Sequence, residues 1–307
     1  MTVLLEPSLW STTLVLGIPI AYAALAGVLS ERAGVVNIAL EGKMLVGAFA
    51  GVAGAAVTHN PWLGVLSAFV AGATLAALFG WATVYLRADH IIAGMAINLL
   101  ALGLTGFLFE IVYGPLGTPS DTPTVPIWTI PGLSELPWFG EVLGRHQALV
   151  FLFVPLALAI GWMLFRTPLG LRWRAVGEFP RAADAAGVGV LRLKFGAVLL
   201  AGGIAGLGGA DVSIGILNSF SPNMTAGRGY IALAAVIFSG WRPGRAFAAA
   251  LLFGFATALS YQLQGTSAFP KNLLLMLPYA MTILALAGFV GRTLPPAAIG
   301  ERYDPGR

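Results

Sequence analysis

The feature that most constrains this chain is a series of long apolar segments, each about as long as a bilayer is thick. A helix needs about 20 apolar residues to cross the hydrocarbon core. Backbone groups in lipid must also find hydrogen-bond partners within their own segment, so these runs are predicted to be helices. We expect an all-α, polytopic membrane protein with about nine transmembrane helices, one or two of them broken. The segments lie at about residues 9–29, 34–57, 62–86, 91–113, 147–165, 195–217, 229–241, 246–263 and 272–291.

Composition supports a lipid-facing exterior. Charged residues make up 10% of the 307 residues and hydrophobic residues 58%, whereas a soluble domain is roughly a quarter charged. The net charge of +4 comes mainly from loops, which indicates membrane topology rather than nucleic-acid binding. Residues 1–9 contain Glu6 and no basic residue, which is unlike a signal peptide. We therefore expect a single transmembrane domain over residues 1–307, with the first helix retained in the membrane.

Two loops predict the orientation in the membrane. The loop at residues 114–146 is rich in proline, and its acidic residues outnumber its one arginine. The loop at 166–194 carries six basic residues against two acidic ones. Short cytoplasmic loops accumulate Lys and Arg, so the second loop is expected in the cytoplasm and the first outside. Counting helices from these loops places the N-terminus outside and the C-terminus in the cytoplasm.

The stretch from Glu31 to Gly42 is the most informative polar sequence. It places Asn37 and Glu41 four residues apart, a spacing that puts both on one face of a helix. A carboxylate inside a membrane is costly, so it is expected to face a cavity or a partner. Gly34 and Gly42 could let the helix break there. The alternative is that Glu41 pairs with Lys43 or Arg32 as a structural lock.

Two further polar residues lie within apolar segments. Asn98 and Asp211 are each surrounded in sequence by apolar or small residues. Together with Asn37 and Glu41 they form the predicted solute pathway. The alternative is a structural role, because such side chains often make helix–helix hydrogen bonds worth about 1 kcal/mol or less.

The chain lacks the sequence motifs of an ATPase or of another enzyme. The only Gly-Lys pair, Gly42-Lys43, has no Gly-x4 before it and no Ser or Thr after it, so it is not a phosphate-binding loop. No H-E-x-x-H or G-x-S-x-G motif is present, and there are no cysteines to bind a metal or form a disulfide. We expect no catalysis, no metal and no cofactor, with any ATP hydrolysed by another subunit.

The basic loop also contains a short helical pattern. Pro180 can begin a helix and Gly187 can end it, with alanine-rich sequence between them. Such a small helix could dock in a groove of another protein. The alternative is a basic loop with only a topological role. The candidate docking residues are Glu178, Pro180, Arg181, Ala182, Ala183, Asp184 and Gly187.

Three stretches resemble one known family. Residues 31–42 read ERAGVVNIALEG, 177–187 read GEFPRAADAAG and 227–235 read GRGYIALAA. They are similar to motifs of bacterial ABC-importer permeases for simple sugars, nucleosides and branched-chain amino acids, closest to the nucleoside and sugar branch. Phe179 stands where that branch more often has Asn.

The resemblance implies the permease subunit of an importer, a multi-pass protein of the bacterial cytoplasmic membrane. The loop around Arg181 would then be the coupling helix, seated on a cytoplasmic ATPase that uses the ATP. A second permease chain, identical or homologous, would complete the path, and an extracytoplasmic protein would deliver a nucleoside or simple sugar.

Other functions stay open from the residues alone. A branched-chain amino acid permease would favour a paired cation and anion on the path, for which Glu41 and Lys43 are the candidates. An ion-coupled secondary transporter would use Glu41 and Asp211 as an ion relay. A membrane scaffold without transport would need neither.

Overall fold

The computed structural model describes residues 5–114, 122–266 and 294–304, with a few positions between 273 and 283. Within these ranges the chain is a bundle of helices, in which π-helical turns at Trp81–Tyr85 and Asp211–Leu217 extend the third and ninth helices. A short hairpin pairs β1 (Ile127–Thr129) with β2 (Arg145–Gln147). The helices are α1 Pro7–Arg32, α2 Leu40–Thr58, α3 Pro61–Gly80, α4 His90–Tyr113, α5 Phe139–Leu143, α6 Ala148–Arg166, α7 Pro168–Glu178, α8 Pro180–Ala185, α9 Val190–Ala210, α10 Arg228–Ser239 and α11 Pro243–Thr266.

Seven of the described helices are long and apolar enough to cross a membrane, namely α1, α2, α3, α4, α6, α9 and α11. They coincide with seven of the predicted segments. The predicted segment 229–241 is the short helix α10, which has only 12 residues. The predicted segment 272–291 lies largely outside the described residues, so the count of nine stays a prediction.

Helices α2, α3 and α9 approach one another so closely that only glycine fits between them. A methyl group at Gly47 would overlap Gly206, and one at Gly206 would overlap the carbonyl group of Ala68. A methyl group at Gly209 would overlap the carbonyl oxygen of Met44. Small residues of this kind let helix backbones pack directly in a membrane. We call this contact the glycine seam.

The loops that the charge pattern assigns to the cytoplasm meet at one end of the bundle. The Arg32 guanidinium, at the end of α1, donates to the carbonyl of Trp241, which lies 2.9 Å away before α11. Arg87, after α3, forms an ion pair with Asp304 at 3.0 Å. The segment 294–304 also contacts the loop that follows α6. We call this the basic end.

Candidate functional site at the break between α1 and α2

The sequence between Glu31 and Gly42 contains a break in the helix. Residues 33–39 are not helical, and α2 begins at Leu40. Gly34 has a φ of +83°, a conformation that glycine adopts without strain. The expected break at this stretch is therefore confirmed, but the placement of Asn37 and Glu41 on one helical face is wrong. Asn37 lies in the break, and Glu41 is the second residue of α2.

The Glu41 carboxylate caps the distant helix α10. Its Oε1 accepts from the Thr225 hydroxyl at 2.6 Å and from the Gly227 amide at 2.8 Å. Its Oε2 accepts from the Gly229 amide at 2.6 Å. Helix α10 has no side-chain cap of its own, and the first amide groups of a helix need outside acceptors. The positive end of the helix dipole also favours a carboxylate there.

Glu41 forms no ion pair with Lys43 or Arg32 among the described residues, so the predicted lock between these side chains is wrong. Lys43 is fully buried and donates to the Asn37 side-chain oxygen at 2.5 Å. Its ammonium also lies 4.3 Å from the centre of the Phe79 ring, a favourable cation–π contact. The buried cation and the buried anion therefore have separate partners.

Asn98, on α4, joins the break to α2 and α10. Its side-chain oxygen accepts from the Gly42 amide at 2.8 Å, in the first turn of α2. Its side-chain nitrogen donates to the carbonyl of Ile38 at 3.0 Å and to the Tyr230 hydroxyl at 3.1 Å. A single amide from α4 thus holds the break, the start of α2 and the start of α10 together.

The structure brings together three of the four predicted pathway residues and leaves Asp211 apart. The neighbours of Asp211, Ala210 and Ser213, face Gly51. Gly51 lies ten residues beyond Glu41, or about 15 Å along α2. Asp211 is 1% exposed, and neither carboxylate oxygen has a hydrogen-bond partner among the described residues.

The basic loop forms the predicted short helix. Pro180 begins α8, and Gly187 follows its end with a φ of +81°. Ala183 is 5% exposed and packs with Val176, Val190 and Tyr303. Burial, and then a hydrogen bond with Asp184, raise the pKa of Tyr303 to about 12. The other face of α8 is open, with exposed side chains at Phe179, Arg181, Ala182, Asp184 and Ala185.

This loop touches the break directly. A methyl group at Gly177 would overlap the carbonyl of Arg32, so the end of α7 lies against the start of the break. The segment 294–304 hydrogen-bonds to both. The Ala298 amide donates to the carbonyl of Gly177 at 3.0 Å, and the Gly300 amide donates to the carbonyl of Gly34 at 3.1 Å. The basic loop and the break are therefore in direct backbone contact.

Sequence reasoning missed the groups that bind Glu41. Gly227 and Gly229 stand in a recognised motif, but nothing in that motif names Glu41 as their acceptor. The available signal was that a helix beginning Gly-Arg-Gly has no Ser, Thr, Asp or Asn at its start, so its cap must come from elsewhere.

Comparison with known proteins gives consistent results. Residues 9–286 match the family described as the permease component of the branched-chain amino acid transport system. The chain is 41% identical to the guanosine ABC transporter permease protein NupQ of Bacillus subtilis, with 96% of each chain covered. It is 39% identical to the nucleoside ABC transporter permease protein NupC of Lactococcus lactis, with 94% of each covered. A protein of Haloferax volcanii, provisionally named a glucose ABC transporter permease, is 40% identical over 80% of this chain and 74% of its own length.

Proposed function

The chain belongs to the permease component family of branched-chain amino acid transport systems, and on that premise we propose that it carries nucleosides across the membrane. It is the permease subunit of an ATP-binding-cassette transporter. The observation that supports a nucleoside is the 41% identity, over 96% of both chains, with a guanosine permease. A simple sugar is the second candidate, because the Haloferax volcanii relative bears a glucose name.

The site geometry disfavours two alternatives, namely an amino acid as the solute and an ion relay that drives transport. A zwitterionic amino acid would be matched by a paired cation and anion, but Glu41 and Lys43 have separate partners. An ion relay needs a carboxylate that can take up and release an ion. Both oxygens of Glu41 are already occupied by protein donors. Asp211 lies after α9, and the residues beside it face Gly51, which is about 15 Å beyond Glu41 along α2.

Uptake by cells that lack this chain tests the proposal. We expect guanosine uptake to fall by about tenfold or more in the deletion strain and to return with the intact gene, while leucine uptake stays unchanged. Guanosine uptake should survive an uncoupler and stop when ATP is depleted. Unchanged guanosine uptake in the deletion strain would refute the proposal. Loss of glucose uptake alone would identify a sugar permease, and loss of leucine uptake alone an amino acid permease.

The pathway is proposed to run beside the break, along the exposed sides of α4 and α10. Tyr230 is 49% exposed and its hydroxyl group accepts from Asn98, so it is placed to meet a hydroxyl-rich solute. Asn37, Glu41 and Asn98 would act on the path by holding α2 and α10 in place. Asp211 would contribute at a separate level of the same path.

The open face of α8 is the proposed seat of the ATPase subunit. Ala182→Arg should abolish co-purification of the ATPase, because Ala182 is exposed and a bulky cation there blocks docking without disturbing the bundle. Ala183→Arg would be ambiguous, since Ala183 packs inward. Ala88→Arg, at another loop of the basic end, is the matched control. Normal ATPase binding by the Ala182 variant would contradict the assignment.

The remaining arrangement is also proposed. A second permease chain, identical or homologous, would complete the path, a solute-binding protein would dock at the opposite end, and the basic end would face the cytoplasm of a bacterial cell. The natural absence of cysteine makes this orientation simple to test. An impermeant maleimide should label Glu135→Cys in intact cells and Arg302→Cys, which is exposed at the basic end outside α8, only after lysis. The reverse pattern would invert the topology.

A further inference from the structure

An apolar groove runs between α6 and α11, away from the break. It has a volume of about 800 Å³, and both of its walls are helices long enough to cross the membrane. Leu158 and Trp162 line it and are 68% and 66% exposed. Phe153 and Phe247 form part of the same lining. The groove therefore presents large apolar side chains along the direction in which lipid chains lie.

Glycines leave the groove open. Gly161 and Gly244 both line it, and a methyl group at either position would meet no protein atom within 4 Å. This contrasts with the glycine seam, where a methyl group would overlap a neighbouring backbone. The space in the groove is thus not needed for packing within the chain.

The basic end of the groove carries unpaired positive charge. Arg166, Arg242 and Arg245 line this end. Among the described residues, none of the three forms an ion pair or a side-chain hydrogen bond. The described residues that line the groove include no acidic residue. Three arginines therefore line the mouth of an apolar groove, and no described lining residue is a carboxylate that could neutralise them.

Two more arginines lie close by. The guanidinium carbons of Arg32 and Arg174 lie 5.7 Å and 5.2 Å from the centre of the Phe165 ring, which also lines the groove. Among the described residues, the nearby ion pair is the weak contact of Arg32 with Glu178 at 3.9 Å. The positive field at the mouth of the groove is therefore larger than its three lining arginines alone produce.

We propose that this groove binds an anionic phospholipid, with its phosphate among Arg166, Arg242 and Arg245 and its acyl chains against Trp162 and Leu158. Guanidinium groups form strong charge-assisted hydrogen bonds with phosphate, and basic pockets between membrane helices bind acidic lipid headgroups. Free phosphate would leave the apolar lining unused. The inference is independent of which solute the permease carries.

Lipid binding to the purified transporter, measured by native mass spectrometry after delipidation, tests the proposal. We expect one phosphatidylglycerol molecule to bind about tenfold more tightly than phosphatidylcholine, since each arginine near the headgroup adds to the attraction. Combining Arg166→Gln, Arg242→Gln and Arg245→Gln should remove this preference. Gly161→Leu should weaken both lipids by filling the groove. Gly196→Leu is the control, because Gly196 also faces open space but lies on α9.

Three results would overturn the proposal. The first is equal binding of the two lipids to the natural chain. The second is an undiminished preference for phosphatidylglycerol in the triple arginine variant. The third is a disulfide that forms between two copies of a Trp162→Cys variant while neither copy binds lipid. Such a disulfide would show that a second copy of the chain covers the groove. Elution of each variant transporter at the same volume as the natural one in size-exclusion chromatography separates these results from simple misfolding.

Discussion

The break at residues 33–39 and the π-helical turn at Asp211–Leu217 differ in how their polar groups are used. At the break of residues 33–39, Glu41 accepts three hydrogen bonds and Asn98 makes three more. At the π-helical turn Asp211–Leu217, the backbone forms a hydrogen bond with another segment, because the carbonyl of Ile214 accepts from the Val125 amide at 3.0 Å. The Asp211 carboxylate itself has no partner among the described residues.

This difference separates polar groups that hold the fold from one that does not. Removing one side of a buried, charge-assisted hydrogen bond leaves unsatisfied groups and costs stability. A buried carboxylate without a partner lowers stability in the folded protein, so its presence points to another use. We therefore expect substitutions at the break to act first on folding, and those at Asp211 to act first on transport.

The largest effect is expected from Glu41→Ala. It leaves the Thr225 hydroxyl and the Gly227 and Gly229 amides without their acceptor, and it removes a negative charge from the start of α10. The free energy of unfolding should fall by about 3–5 kcal/mol, seen as a lower melting temperature in detergent. Glu41→Gln keeps one acceptor oxygen, so its melting temperature should lie between those of the natural chain and Glu41→Ala. A melting temperature unchanged by Glu41→Ala would remove the distinction between the two sites.

A smaller loss is expected from Gly229→Ala. A methyl group there would lie 2.5 Å from the Glu41 Cα, so α10 must move away from α2 and weaken the cap. Overpacking of this kind costs about 1–3 kcal/mol. Gly196→Ala supplies the comparison, because its added methyl group meets open space and alanine favours a helix. Equal stability of these two variants would argue against tight contact between α2 and α10.

Asn98→Ala should cost about 2 kcal/mol, since three hydrogen bonds are lost but no charge is stranded. Asn98→Asp retains an acceptor for the Gly42 amide, but it loses the donor to Ile38 and brings a carboxylate into a buried site, so it should cost more than Asn98→Ala. Thermal unfolding followed by tryptophan fluorescence gives both values. If Asn98→Asp were as stable as the natural chain, the bonds to Ile38 and Tyr230 would have no structural role.

The smallest change in stability is expected from Asp211→Asn. It should shift the free energy of unfolding by less than about 1 kcal/mol, or raise it, because a neutral amide costs less to bury than an unpaired carboxylate. Solute uptake should fall in the same variant if Asp211 serves the path. A loss of stability comparable to that of Glu41→Ala would show that Asp211 has a structural partner after all.

The sequence predicted most of the helices because each one depends on local apolar composition. It misplaced the start of α2 because Val35, Val36, Ile38 and Ala39 are as apolar as a helix that crosses the membrane, and hydropathy does not distinguish a buried helix from a buried turn. It found the α8 helix because Pro180 and Gly187 are local signals. It missed the partners of Glu41 because these lie 184 to 188 residues away, beyond the reach of any periodicity.

The glycine seam also limits how this protein can move. Helices whose backbones touch cannot rotate or slide against each other without atomic overlap, so α2, α3 and α9 should behave as one rigid body. Of the seven long helices that the structure describes, α4 and α6 are the least buried. If the path opens by alternating access, we expect α6 to shift around this fixed block, while α4 and α10 stay tied to the block through Asn98 and Glu41.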